Sequence, residues 1–272
     1  MKQLIKSKVR QFLIGKKQSF TFTSTKNKAI DFDALKNIEE TNLYIHIPFC
    51  KSLCPYCPYN RVLFEEKRLE RYFLALHKEI DLYSKVIGVA KISSIYIGGG
   101  TPTNAIDELK DVIDHIKEKF EFSGDLAIET TVSDINKDTL RKLKDMGVNL
   151  LSVGVQSFND KYLELLGRNY QSEVIENALK DIETFNFNTV NIDLMFALPN
   201  QNERELINDL KKAHKLPVDQ ITTYPLFTFP YSTVGNYLNI NKIEMPKFFI
   251  RKKHYKLIHN FFKNKNYEMV SV

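Results

Sequence analysis

Apolar positions along the chain follow two spacings. Runs rich in β-branched and aliphatic residues at 43–47, 94–98, 126–131, 150–156, 189–196 and 220–226 predict strands. Between them, 67–86, 106–120, 137–146, 160–166, 173–185 and 204–216 repeat apolar residues at three- and four-residue steps, as helices with one buried face do. In the second of these, Leu109, Val112, Ile113 and Ile116 share a face, while Lys110, Asp111 and Asp114 point away. Gly147 stands as a helix stop after Met146, and Ser172 stands where an N-cap is expected. Strands separated by helices of this length imply βαβ units, an α/β class and a parallel sheet. Six such units make either a partial barrel or a doubly wound sheet, and periodicity does not choose between them.

Polar residues punctuate the strand ends. Glu129 lies near the end of one strand, Gln156 ends the next, and Asp193 interrupts the apolar run VNIDLMF. A carboxylate in such a strand is costly to bury unless it is paired or bound, so Asp193 is a candidate site residue. Arg168, in GRN after a short helix, reads by itself as a solvated charge. The run Gly98–Gly100 follows a strand directly. It lacks the lysine and spacing of a P-loop, and it makes either a tight turn or a place where a ligand meets bare backbone.

Composition narrows the class. With 272 residues, 43% of them hydrophobic, the chain can build a core without disulfides. No stretch approaches the ~18 consecutive apolar residues of a membrane helix. The basic start has no long apolar run or small-residue cleavage site, so a cytoplasmic protein is expected. The net charge of +6 is spread over amphipathic stretches with carboxylates between, which does not favour nucleic acid. The strongest chemical signal is that all three cysteines, Cys50, Cys54 and Cys57, lie within eight residues. Neighbouring thiolates repel unless a cation sits among them. Zinc wants a fourth protein ligand, usually from a second cysteine or histidine pair, and none is apparent. An iron–sulfur cube fits better, because three cysteines leave one iron open for a small molecule.

At LYIHIPFCKSLCPYCPYN the sequence resembles the radical S-adenosylmethionine (SAM) superfamily. Within it, the group of oxygen-independent coproporphyrinogen III oxidases and heme chaperones is the nearest likeness. It runs on through IYIGGGTPT, AIETTVSD, LLSVGVQSF, GRN, VNIDLMFALPNQ and ITTYPLF, over about residues 41 to 230. The resemblance implies a partial (β/α)6 TIM-like barrel with a [4Fe-4S] cluster on Cys50, Cys54 and Cys57, its fourth iron chelated by SAM. It implies that Tyr56 contacts the adenine region and that Gly99, Gly100 and Thr101 meet the methionyl part. Glu129, Gln156, Arg168 and Asp193 match the group's SAM-binding polar positions, and Tyr44 and His46 match its tyrosine and histidine before the first cysteine. The implied reaction is reductive cleavage of SAM to a 5′-deoxyadenosyl radical, fed by a low-potential donor of flavodoxin or ferredoxin type and acting on a tetrapyrrole or similarly large substrate. The oxidases carry a further cysteine where Tyr59 stands here. The heme chaperones, and methyltransferases of the same group, share the shorter pattern, so heme transfer and methyl transfer stay open. The expected organisation is a basic extension over 1–40, the barrel over 41–230, and a helix with the start of a strand over 231–272, the opening of a shortened C-terminal region.

Overall fold

The computed structural model describes residues 35–36, 38–88, 90–227 and 244–270, so most of the expected basic extension and part of the last region lie outside the described residues. Among the described residues the elements run β1 (Glu40–Ile47), β2 (Phe49–Cys50), β3 (Val62–Leu63), α1 (Glu66–Ile87) and β4 (Lys91–Gly99). There follow α2 (Ile106–Lys119), β5 (Glu121–Thr131), α3 (Lys137–Met146), β6 (Leu150–Gln156), α4 (Asp160–Leu165) and α5 (Ser172–Glu183). The last are β7 (Thr189–Phe196), α6 (Glu203–His214), β8 (Gln220–Pro225) and α7 (Phe248–Lys263). The six strands and six helices expected from periodicity are all present, with ends shifted by a few residues.

Strand order decides what periodicity left open. β1, β4, β5, β6, β7 and β8 form one parallel sheet whose spatial order is its chain order. A doubly wound sheet reverses direction at a switch point and carries helices on both faces. This one never reverses, so each crossover lands on the same side and the opposite side stays free. The strands alternate accordingly. Ile95 and Ile97 on β4, Ile128 on β5, Val153 on β6 and Ile192 on β7 are fully buried in one core. The apolar faces of the helices complete it, with Leu109 and Ile113 of α2, Leu140 of α3 and Leu179 of α5. The neighbouring strand positions face the other way and line a cavity. Because residues from β4 through β8 all border that one cavity, the sheet curls round it as a partial barrel.

Local signals account for the ends. Gly147 caps α3 in the left-handed region (φ 93°), donating to the carbonyls of Leu143 and Lys144. Ser172 does not act as the N-cap. It opens the first turn of α5 behind Gln171, and its amide donates to Asp160 Oδ1 at 2.7 Å, so a neighbouring helix supplies the missing acceptor. The strand expected at the end of the sequence is not formed among the described residues, since 267–270 have no regular structure. A two-residue ladder that periodicity does not reveal, β2 against β3, closes the cysteine loop. There Val62 N donates to Pro48 O at 2.8 Å and Phe64 N to Cys50 O at 2.9 Å.

Candidate functional site

The free face of the sheet encloses a cavity of about 540 Å³, within the range of about 300–1,000 Å³ usual for small-molecule sites. The cysteine loop borders one end, contributing Cys50, Cys54 and Cys57. Cys50 ends β2 and is buried; the other two are half-buried on the loop, where Cys57 N donates to Cys54 O at 3.3 Å. Burial pushes the Cys50 and Cys57 thiols up, opposed at Cys50 by the Thr101 hydroxyl, 3.8 Å from Sγ. Desolvated thiols of this kind ionise readily only when a cation joins them. Among the described residues no three His, Cys, Asp or Glu side chains converge on one point suited to a single metal ion.

Four polar side chains from separate segments face the same space. On β5, Glu129 accepts from Tyr96 OH at 2.8 Å and from Gly99 N at 3.1 Å, so both its oxygens are oriented. On β6, a register shift beside Gly154 and a left-handed backbone at Gln156 (φ 75°) turn the Gln156 side chain, which accepts from Tyr224 OH at 2.7 Å. A non-glycine residue held at positive φ is strained, and such strain gathers at functional sites. Arg168 is no solvated charge: Nη1 donates to Thr131 Oγ1 at 3.0 Å and Nη2 to Tyr56 OH at 2.9 Å, while its Nε is buried without a partner. The cause is the turn after α4, which returns the chain over the cavity. Among the described residues Arg168 pairs with no carboxylate. Asp193 of β7 accepts from Asn191 Nδ2 at 2.9 Å, and burial lifts its carboxyl to about 6 against the relief of that hydrogen bond.

Two glycines make room for these groups. A Cβ on Gly98 would stand 3.0 Å from the Glu129 carboxylate, and one on Gly154 would stand 3.0 Å from Gln156 Nε2 and 3.3 Å from Arg168. The amides of the glycine run are committed: Gly99 N to Glu129, Gly100 N to Ile47 O at 2.8 Å and Thr101 N to Phe49 O at 2.9 Å. What the run offers a ligand is therefore carbonyl oxygen, an acceptor for ammonium hydrogens. Tyr56 is buried beside Met195 and Leu198 and borders the cavity, its burial pushing the phenol well up.

Tyr44 and His46 stand apart from this set: neither borders the cavity, and both sit at its edge strand. His46 Nε2 lies 2.9 Å from the Asn60 carbonyl, which only accepts, so in the neutral ring that nitrogen carries the hydrogen. Nδ1 then accepts from Tyr44 OH at 3.0 Å. The pair is joined to the site through Tyr96, whose ring stacks on Tyr44 with centroids 6.1 Å apart. Sequence reasoning missed Tyr96, Tyr224, Asn191 and Arg61 of the lining. For Tyr96 and Asn191 a signal existed: each lies two residues from a cavity-facing position (Gly98, Asp193) and must share its face. For Arg61 there was none.

Comparison with known proteins gives a consistent result. A family model described as the radical SAM superfamily matches residues 44–213. The heme chaperone HemW of Bacillus subtilis (strain 168) is 33% identical over 207 residues, covering 75% of this chain and 55% of that protein. The oxygen-independent coproporphyrinogen III oxidase of Escherichia coli (strain K12) is 32% identical over 187 residues, covering 67% of this chain and 41% of that one. Among solved structures, coproporphyrinogen III oxidase (HemN) from Escherichia coli, described as a radical SAM enzyme, superposes with a TM-score of 0.79 at 27% identity, over 89% of this chain and 57% of that chain. The radical SAM methyltransferase TsrM from Kitasatospora setae, solved with cobalamin and a [4Fe-4S] cluster bound, reaches 0.52 at 13% identity over 74% of this chain and 39% of that chain, a likeness of fold alone. The chain spans about half the length of the curated relatives it matches. No helix among the described residues is long and apolar enough to cross a membrane.

Proposed function

The chain belongs to the radical SAM superfamily, in the group of the coproporphyrinogen oxidases and heme chaperones, and from that premise we propose that its cavity holds a [4Fe-4S] cluster and SAM and cleaves the latter reductively. Proteins of this family and fold bind both groups. One observation carries the reading: a single cavity joins three thiols of one loop to Glu129, Gln156, Arg168 and Asp193 from four other segments. The residues fit the two groups. Cys50, Cys54 and Cys57 would hold three irons. The unpaired Arg168 guanidinium, with a buried Nε–H to spare, suits the SAM carboxylate. Glycine-run carbonyls suit its ammonium group, and the Asp193 carboxylate with Gln156 suits ribose hydroxyls. Tyr56 lies where the adenine region would pass.

When bound, the cluster would supply the one-electron chemistry for reductive cleavage of SAM. The chain's own work is to orient and shield. Strands β4 to β8 wall the cavity on the helix side, and the cysteine loop covers one end, restricting water. Tyr44 and His46, hydrogen-bonded in series to the Asn60 carbonyl, would brace the cavity wall through the Tyr44 ring stacked on Tyr96. The segment 41–230 is the cofactor-binding part. The substrate class is a tetrapyrrole or similarly large molecule, with a low-potential flavodoxin- or ferredoxin-type donor.

Anaerobic reconstitution with iron and sulfide, then dithionite and SAM, tests the reading by chromatography for 5′-deoxyadenosine. Product that forms with the native chain and disappears in Cys54→Ala is the expected result; a chain that takes up no iron removes the reading. A second reading, heme transfer, draws on the identity to the heme chaperone and on Tyr59 standing where the oxidases have a further cysteine. Stoichiometric heme binding with little SAM cleavage would favour it.

A further inference from the structure

Arg61 leaves the cysteine loop just before β3, and its guanidinium turns back into the cavity wall. Nη2 donates to Cys54 O at 2.7 Å, and Nη1 reaches Tyr59 O at 3.4 Å. These carbonyls flank Cys57 in sequence, and Cys54 O also accepts from Cys57 N. The next residue, Val62, is tied by its amide to Pro48 O, on the segment that leads into Cys50. Arg61 thus joins the backbone on either side of Cys57, and its planar fork fixes direction as well as distance.

The electrostatics are as specific. Lys51, the other cation of the loop, is 69% exposed at its side chain and bridged to Asp134 at 3.1 Å, so solvent and a carboxylate offset its charge. Among the described residues Arg61 pairs with no carboxylate, and its charge reaches both Cys50 and Cys57. Its Nε is buried without a partner.

We infer that Arg61 is a positioning residue for the iron–sulfur cluster: it clamps the cysteine loop through two carbonyls and stands as an unpaired cation beside the thiols. The inference rests on the cluster assignment above. Reduction adds one negative charge to the cluster, and nearby positive charge favours that state. The test compares reconstituted native chain, Arg61→Gln and Arg61→Lys. Redox titration followed by electron paramagnetic resonance reports the potential, and bleaching by an iron chelator reports cluster loss. Arg61→Gln is expected to hold about tenfold less reduced cluster at a given poise, a midpoint about 59 mV more negative for one electron. Arg61→Lys, which keeps the charge but not the fork, is expected to stay near the native potential and to bleach several-fold faster. A native potential in Arg61→Gln overturns the electrostatic role, and native bleaching in both variants overturns the clamp. If Arg61→Gln takes up no cluster, Arg61→Lys decides by its bleaching rate. A native chain that takes up no iron overturns the cluster assignment itself, a failure separate from either variant's.

Discussion

The two faces of the central sheet are built from the same strands, one residue apart, under opposite rules. On β7, Val190, Ile192 and Leu194 are at most 5% exposed and lock into the helices, while Thr189, Asn191 and Asp193 border the cavity. On β6, Val153 and Val155 are packed, while Ser152, Gly154 and Gln156 border the cavity. Barrels whose interiors serve only for packing fill them with bulky branched side chains. Here the inner layer is short, polar and hydrogen-bonded along itself, as where Thr222 donates to Asn191 and Asn191 to Ser152, both at 2.9 Å. The outer face holds the fold together and the inner face is reserved for a ligand, so damage to each should register in different measurements.

The largest separation is expected from Cys54→Ala. Iron uptake should be lost entirely, while urea unfolding of the cluster-free chain stays within about 1 kcal/mol of native, because the residue is only half-buried on its loop. Ile95→Ala, fully buried on the outer face, should do the reverse. It should cost about 2–5 kcal/mol in urea unfolding and leave SAM affinity of the folded fraction unchanged. A loss of SAM affinity as large as the loss of stability would break the division between faces.

Gly154→Ala sharpens it from the inner side. The added methyl crowds Gln156 and Arg168, so SAM affinity measured by calorimetry should fall on the order of tenfold, about 1.4 kcal/mol, with little change in unfolding. The smallest effect, and the one with a sign to check, is Asp193→Asn. The native-state carboxyl titrates at about 6, above its ordinary range, because it is buried. Below about pH 3 it is neutral in both folded and unfolded chains, and the substitution should be near neutral. As pH rises from about 4 to 6 the unfolded state ionises first, and the native chain loses stability that the asparagine variant keeps. At pH 7 the ligand-free variant should therefore be more stable, on the order of 1–3 kcal/mol, yet bind SAM more weakly. Equal stability at pH 4 and pH 7, relative to native, would show that Asp193 is not desolvated as the structure has it.

Much of this was legible from the residues alone. The helix faces, such as Leu109 and Ile113, and the buried strand positions follow from spacing over a few residues, and all appear where periodicity puts them. The loop CKSLCPYC declared its chemistry because its three thiols sit too close together in sequence to be coincidence. Other features gave no local signal. Arg168 looks like a surface charge in GRN, yet its guanidinium meets Tyr56, 112 positions earlier in the chain. Ser172 has the composition of a cap but not the place, because Asp160 supplies the acceptor from another helix.

The βαβ repeat, the cysteine motif and the family can all be read from the order of residues, since each is written in short-range spacing that any fold must respect. It takes the folded chain to show that the sheet never reverses, that Glu129, Gln156, Arg168 and Asp193 meet across one cavity, and that Arg61 rather than Lys51 stands as the unpaired cation beside the thiols. Convergence of this kind depends on how strands curl and loops return, a balance of packing over the whole chain that no window of residues contains.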